Sequence, residues 1–342
     1  MTGNGSAFEV LVACLRGEPP ATADWPAAFG IANRTLLTPA LFDALARASR
    51  LAVLPEEGRA YLEFLHGRNL ERNRRLRAQL IEAVGELNGA GIRPVLLKGA
   101  VRLFCDPDHR LGSRMTRDLD IAVDEQEGEA ARACLLRIGY RDLAEGRGME
   151  RPQDVGALEL RHHRGPPGTA RLPREHSTPS LVLRAGVGAR IPSPTSRALH
   201  WILHDLIKEG DYWRGRIDLR HLHDLAELAR TEEHVDWAGL RDSMQDQAGR
   251  NALDTQLWTL HVLFGSEIPP AILGRRVIGL QHWRRMFTAR HPVAGAPLRL
   301  AGNLAWGMQR IGSLGSLAEC ATAGFARRVQ RTLVGSSDGG KL

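Results

Sequence analysis

Seven residues, Arg117–Val123 (RDLDIAV), constrain this chain more than any other segment. Leu119, Ile121 and Val123 alternate with other residues, the period-two pattern of a strand with one face in a core. Such a strand puts Asp118 and Asp120 on one face, about 6.6 Å apart along its axis. Two ionised carboxylates at that spacing repel by roughly 2.5 kcal/mol at an effective dielectric near 20. A sheet otherwise built from apolar residues seldom accepts this without a compensating cation, and oxygen ligands select magnesium or manganese. The alternative is a solvent-facing strand whose outward residues happen to be acidic.

Two neighbouring features sharpen the first reading. Upstream, Leu96-Leu97-Lys98-Gly99-Ala100 carries a strand into lysine and glycine where a helix is predicted to start. Glycine there lets the backbone approach a triphosphate closely, and the amides of a helix N-terminus attract anions. Downstream, Val155–His162 alternates and is predicted as a neighbouring strand, so that Glu159 can bring a third carboxylate to the same face. Singly, a Lys-Gly pair and a strand glutamate mean little. In this order with the aspartates they form a recognisable set.

The chain around this set divides into three regions and a tail. Residues 1–90 read as helical: Leu41, Leu45 and Ala48 have helical spacing, and a longer pattern from Arg59 to Leu87 stops at Asn88-Gly89-Ala90-Gly91. Residues 91–190 contain three strand candidates, Ile92–Leu97, Leu119–Val123 and Val155–His162, and a helix over Glu125–Ile138. Pro94 belongs at a strand start or sheet edge. The Pro/Gly-rich stretch 164–180 reads as a loop or partly disordered insertion. Strand and helix at this density predict a small mixed sheet with helices packed on it. Residues 191–334 turn helical again, with Leu199, Ile202, Leu203, Leu206 and Ile207 on one buried face and Leu222, Leu225, Ala226 and Ala229 repeating the pattern. Residues 335–342 read as a disordered tail.

Composition excludes several classes. The 342 residues are 43% hydrophobic and 25% charged, as in ordinary globular proteins. No run approaches the roughly 20 apolar residues of a membrane span, and the first residues lack the order of a secretory signal. Cys14, Cys105, Cys134 and Cys320 stand far apart with no CxxC pair, against a disulfide scaffold or cysteine-rich zinc module. A reducing cytoplasm is the expected setting. The net charge of +7 points less to nucleic acid than its size suggests, because only Lys98, Lys208 and Lys341 among 46 basic residues are lysine. The arginines are spread along the chain, whereas a dedicated nucleic-acid binder clusters them. Their densest run, Arg68 to Arg77, shares a helical pattern with Leu76, Leu80, Val84 and Leu87 and reads as a solvated helix face. There is no GxxxxGK[ST] loop, and GVGAR at Gly186 lacks the third glycine of a dinucleotide fingerprint and reads as a turn.

LLKGA (Leu96 to Ala100), RMTRDLDIAV (Arg114 to Val123) and LELRHH (Leu158 to His163) precede SPTSRALHWILHD (Ser193 to Asp205) and IDLRHLHDLAELA (Ile217 to Ala229). Together they resemble the DNA polymerase beta-like nucleotidyltransferase superfamily, and within it a bacterial nucleotidyltransferase family of the LLKG…RxxxDxD…ElH type. The resemblance covers about Gly91 to Leu240. It implies an α+β fold, with a polymerase-beta-like palm flanked by helical N- and C-terminal regions. It also implies metal-dependent transfer of a nucleoside monophosphate from a nucleoside triphosphate to an acceptor left open: small molecule, peptide, protein or RNA.

On that resemblance Asp118 and Asp120 would hold two magnesium (or manganese) ions, with Glu159 completing the second site and helping to deprotonate the acceptor. Lys98, Gly99 and Arg114 would meet the triphosphate, as would Arg220 and Asp224 from a helix that faces the cleft in the family, and His200 and His204 as a pair lining the cleft beside the nucleotide. The departures are Ala100, where the superfamily has glycine or serine, the long step from Gly99 to Asp118, and the insertion after Glu159. Two further readings use the same fold: a toxin-like nucleotidyltransferase of the abortive-infection type, and a non-catalytic nucleotide-binding scaffold.

The spacing of the histidines allows blander roles as well. His200 and His204 lie four apart, but HWILH lacks the glutamate of HExxH, leaving a pair that lines the cleft or a structural pair. His221 and His223 alternate faces on a helix and do not jointly clasp one metal. Arg220 and Asp224, at i and i+4, form from spacing alone a helix-surface ion pair worth about 0.2–0.5 kcal/mol. One of His162 and His163 points to the site side.

Overall fold

A computed structural model of the chain describes residues 5–143, 148–162, 171–231 and 234–313. Three short helices lead in: α1 (Ala7–Leu15), α2 (Trp25–Arg34) and α3 (Thr38–Arg47). The first is fixed by a reciprocal cap between Ser6 and Glu9, and the next two carry proline in the first turn, where a missing N–H costs nothing. Then α4 (Glu56–Gly89) runs for 34 residues and ends where Gly91 takes φ +79°, at the predicted stop.

The sheet follows. In chain order its elements are β1 (Val95–Leu96), α5 (Gly99–Cys105), β2 (Leu119–Val123), α6 (Gly128–Arg137), β3 (Arg141–Asp142), β4 (Gly148–Glu150), β5 (Leu158–His162), the single turn α7 (Arg174–Ser177), β6 (Ser180–Arg184) and β7 (Val187–Ile191). The strands form one seven-stranded sheet in the order β3-β4-β5-β2-β1-β7-β6. β2 runs parallel to β5 and β1 parallel to β7; the other neighbours are antiparallel. The fold is therefore the expected mixed α+β architecture. Pro94 precedes β1, which lies inside the sheet, so its place is a strand start.

Leu119, Ile121 and Val123 of β2 enter a core with Leu158 and Leu160 of β5 and with Leu76, Leu80, Val84 and Leu87 of α4. A second core lies outside the sheet. It joins Leu11, Ala32, Leu41 and Leu62 from the N-terminal helices to Leu199, Leu222, Leu253 and Met286 from the C-terminal ones. Helices from before and after the sheet thus build one helical body, and α4 reaches from it into the core beneath the sheet.

The C-terminal elements are α8 (Pro194–Ile202), α9 (Asp211–Arg214), α10 (Leu219–Thr231), α11 (Trp237–Asp242), α12 (Gln247–Phe264), α13 (Arg276–Arg290) and α14 (Ala296–Ser313). Between α8 and α9 the chain takes a π-helical turn over Leu203–Lys208. That widened turn carries Ile207 off the predicted buried face, leaving it 44% exposed while Leu199, Ile202 and Leu206 are buried. No helix among the described residues is long and apolar enough to cross a membrane.

Two expectations need correction. Only Gly186 of GVGAR lies in a turn, with Ala185, both at positive φ and closing a two-residue hairpin between Arg184 and Val187, while Val187 to Arg190 belong to strand β7. The run Arg68 to Arg77 is only partly a solvated face. Arg68, Arg74 and Arg75 are exposed, but Asn69, Asn73 and Arg77 are buried against the sheet's loops. Of the predicted insertion, residues 164–170 lie outside the described residues; 171–179 contain α7 and the buried Leu172. His163 and the predicted tail 335–342 also lie outside the described residues.

Candidate active site

The parallel pairing of β2 and β5 sets Asp120 directly across from Glu159. Because β2 alternates, Asp118 and Asp120 face away from Leu119 and Ile121, on the side of the sheet opposite the main core. Asp120 is 1% exposed, which demands compensation for its charge. Two cations supply it. Lys98 Nζ lies 3.2 Å from Asp120 Oδ1, and Arg161 donates to the same oxygen from Nε at 3.0 Å and Nη2 at 2.8 Å. Arg161 Nη2 also reaches Glu159 Oε2 at 2.5 Å. Asp118, half-buried, makes no hydrogen bond or ion pair with another described residue, and its charge is felt by Arg72.

Arg161 was absent from the residues singled out in the sequence, although its signal was there. It stands two positions after Glu159, so the strand period puts it on the same face. The same parity sends His162 to the other side, where its ring lies against Gly128.

Lys98 sits in a tight turn closed by the Ala100 amide on the Leu97 carbonyl at 3.0 Å. Its backbone has φ 48° and ψ −120°, a region glycine occupies freely and other residues at a cost of order 1–3 kcal/mol. The next residue is glycine for a separate reason. A Cβ at Gly99 would lie 2.7 Å from Arg114 Nη1 and 2.8 Å from Thr116 Cγ2. Gly99 therefore lets Arg114 and Thr116 close over the start of α5.

Arg114 in turn is gripped from the C-terminal region. Its Nε lies 3.0 and 2.9 Å from the two oxygens of Asp224 on α10, and its Nη2 lies 2.8 Å from Oδ2. Arg102 of α5 approaches the same carboxylate at 3.7 Å. Burial alone would raise the Asp224 carboxyl, but Arg114 and then Arg102 hold it well below the usual carboxylate range. The helix-surface pair expected between Arg220 and Asp224 is thus replaced by a buried one that ties α10 to the sheet. Arg220 is pushed below its ordinary value by burial and by the like charge of Arg114, and its Nη2 lies 3.3 Å from His221 Nε2.

The histidine pair of α8 divides between two neighbourhoods. His200 is buried beside the carboxylate centre. Burial first, then the charges of Lys98, His204 and Arg161, push it down to about 3, with Asp120 pulling the other way. It is neutral wherever the protein is near neutral pH. A histidine held neutral in the fold takes no proton where the unfolded chain does, so stability falls as pH drops below 6.5 and continues to fall toward 3. The expected slope from this residue is about 1.4 kcal/mol per pH unit. Urea denaturation at several pH values should show His200→Gln losing that share of the acid sensitivity, and identical slopes would refute it.

His204, one turn on, joins Asp205 and His221 instead. Asp205 Oδ1 lies 3.0 Å from His204 Nδ1 and 2.9 Å from His221 Nδ1. Their ligand atoms lie within 4.8 Å of one another, a triad that could hold a metal. Arg220 facing His221 Nε2, however, makes that nitrogen an acceptor, so Nδ1 carries the proton toward Asp205. The triad is a hydrogen-bonded one in this state. His223, on the other face of α10, packs edge-on to Phe264.

The loop before β2 is held from below by α4. Asn69 Nδ2 donates to the carbonyls of Gly112 and Arg114, and Asn73 Nδ2 to those of Leu111 and Arg114. Arg72 donates to the carbonyls of Thr116, Arg117 and Val155, linking the leads into β2 and β5. None of these was readable as functional from the sequence, because each acts on backbone 38 or more positions away.

The structure therefore brings Lys98, Asp120, Glu159 and His200 to one centre, with Asp118 immediately before β2, near Arg72. It puts Gly99, Arg114 and Asp224 in the adjoining clamp, and Arg220 and His204 around His221. One family profile, described as uncharacterised nucleotidyltransferase, matches residues 21–265, more than half of the chain. A search of curated proteins finds no match.

Proposed function

Because the chain belongs to this nucleotidyltransferase family, we propose that it transfers a nucleoside monophosphate from a nucleoside triphosphate to an acceptor at Asp118, Asp120 and Glu159. The observation that carries the reading is the cross-strand register of Asp120 with Glu159, two positions from Asp118. The donor set is all oxygen, which fits Mg²⁺ or Mn²⁺. The burial of Asp120 among cations fits a site built to hold positive charge. Asp118 and Asp120 would hold two ions, with Glu159 completing the second site. Such ions supply charge neutralisation at the α-phosphate and at the attacking and leaving oxygens.

The chain's own residues do the rest. The acceptor oxygen bonds to the α-phosphorus as the bond to the bridging oxygen breaks, and pyrophosphate leaves with the electron pair. Glu159, whose side chain is 33% exposed, takes the acceptor proton. Lys98 neutralises charge on the triphosphate and on the departing pyrophosphate. Neutral His200 offers a hydrogen bond beside Lys98 without adding charge. Arg114 and Asp224 act through position, by keeping α10 and the start of α5 together.

The same contacts favour one rival. Asp120 and Glu159 already share cations of the chain itself, as a nucleotide-binding copy without turnover would. Calorimetric titration of ATP, GTP, CTP and UTP with Mg²⁺ decides. Transfer predicts that one triphosphate binds in a Mg²⁺-dependent manner, that Asp118→Ala/Asp120→Ala weakens it at least tenfold, and that acceptor candidates then release pyrophosphate. Metal-independent binding, unchanged in the double variant, favours the scaffold.

A further inference from the structure

Arg161 occupies a position that the proposed chemistry needs for something else. Its Nη2 lies 2.8 Å from Asp120 Oδ1 and 2.5 Å from Glu159 Oε2, between the two facing carboxylates. A divalent ion held by those carboxylates would need the oxygens that Arg161 now occupies. A guanidinium nitrogen and such an ion do not fit between the same two oxygens at once. Lys98, by contrast, touches Asp120 from one side at 3.2 Å and bridges to no second carboxylate among the described residues.

We propose that Arg161 is an internal cation that closes the carboxylate pair in the resting chain. It exchanges with the divalent ion when metal and nucleotide arrive together, and the freed guanidinium passes to the triphosphate. The inference rests on the nucleotidyl-transfer reading and adds a gate to it.

Three observations support the exchange. Asp120 is too deeply buried to stand without a cation, so some positive charge must be present before any ligand arrives. The Arg161 side chain is 21% exposed, against 1% for Asp120, so it can leave toward solvent while the aspartate stays. Its planar fork suits carboxylate and phosphate oxygens alike, which makes a triphosphate a natural second partner. Metal alone would have to displace a cation bonded to both carboxylates. Metal with nucleotide gives that cation somewhere to go.

The test is Mn²⁺ binding to the full chain without nucleotide, followed by electron paramagnetic resonance of the free ion. Arg161→Gln is expected to bind Mn²⁺ at least tenfold more tightly than wild type, and to bind the Mg²⁺–triphosphate complex about tenfold more weakly. Arg161→Lys, whose single ammonium does not span both carboxylates, should fall between them in Mn²⁺ affinity. It also serves as the second variant if Arg161→Gln does not fold. Equal or weaker Mn²⁺ affinity in these variants, with binding still abolished by Asp118→Ala/Asp120→Ala, overturns the gate and leaves the transfer reading intact. Mn²⁺ binding that ignores Asp118 and Asp120 in every background overturns both.

Discussion

Asp224→Ala is expected to cost about 3–5 kcal/mol of stability, because it leaves buried guanidinium groups without their counter-charge. Asp224 is 3% exposed and meets Arg114 through both carboxylate oxygens, with Arg102 beside it. Urea or guanidinium denaturation near neutral pH measures the loss. Asp224→Asn keeps the shape and removes only the charge, so it should recover little. The pH dependence has a definite sign. A carboxylate whose folded value is depressed contributes fully above its ordinary value of 3.8, and loses the contribution only as pH falls through the lower folded value. The gap between wild type and variant should therefore be constant from pH 8 to pH 5 as far as this residue is concerned. A variant as stable as wild type would mean that Arg114 and Arg102 find other partners without strain.

Asp120→Asn is expected to reduce nucleotidyl transfer by roughly a thousandfold or more, about 4 kcal/mol of transition-state stabilisation. It should also destabilise the fold, since Lys98 and Arg161 lose the charge they surround. The two effects separate in a double-mutant cycle. Asp120→Asn with Arg161→Gln removes a cation along with the anion, so stability should return by about 0.5–3 kcal/mol relative to the sum of the single changes. Transfer should not return. Pyrophosphate release and denaturation midpoints on the same four proteins measure both. Retention of more than a tenth of wild-type transfer in Asp120→Asn would remove this aspartate from the reacting centre.

The parts of this molecule that were legible in its sequence share a physical character. β2 was readable because its apolar core face, Leu119, Ile121 and Val123, alternates with a face that carries the buried carboxylate Asp120, which writes a period of two into RDLDIAV. The end of α4 was readable because a glycine at positive φ marks it. The hairpin of β6 and β7 was not, since β6 is an edge strand with Leu181 and Leu183 exposed, so its residues carry no clean inside and outside. β3 and β4 are two and three residues long, too short to show a period.

The site divides in the same way. Asp118, Asp120 and Glu159 stood out because carboxylates are conspicuous in apolar strands. Arg161 was masked by the histidines that follow it. The partner of Arg114 stands 110 positions away on a helix whose own spacing offered a nearer and wrong partner, Arg220. Local pattern names the face a residue occupies; which face of which helix closes on it is decided by packing over distances that periodicity does not record.

The helical body built from regions on both sides of the sheet has a consequence for how the protein is made. Leu11 and Leu41 share a core with Met286 and Ala289, and Glu9 pairs with Arg290 at 2.8 Å. A ribosome delivers the first of these residues long before the last. The first three helices thus emerge with apolar faces whose partners have not yet been synthesised, while the sheet between them already has most of its own core. Non-local closure of this kind is slow and leaves sticky surface in the meantime. Nascent chains halted before α13 should expose α1 to α3 to chaperones and proteases, and the packing of α13 would set the moment at which those helices become safe.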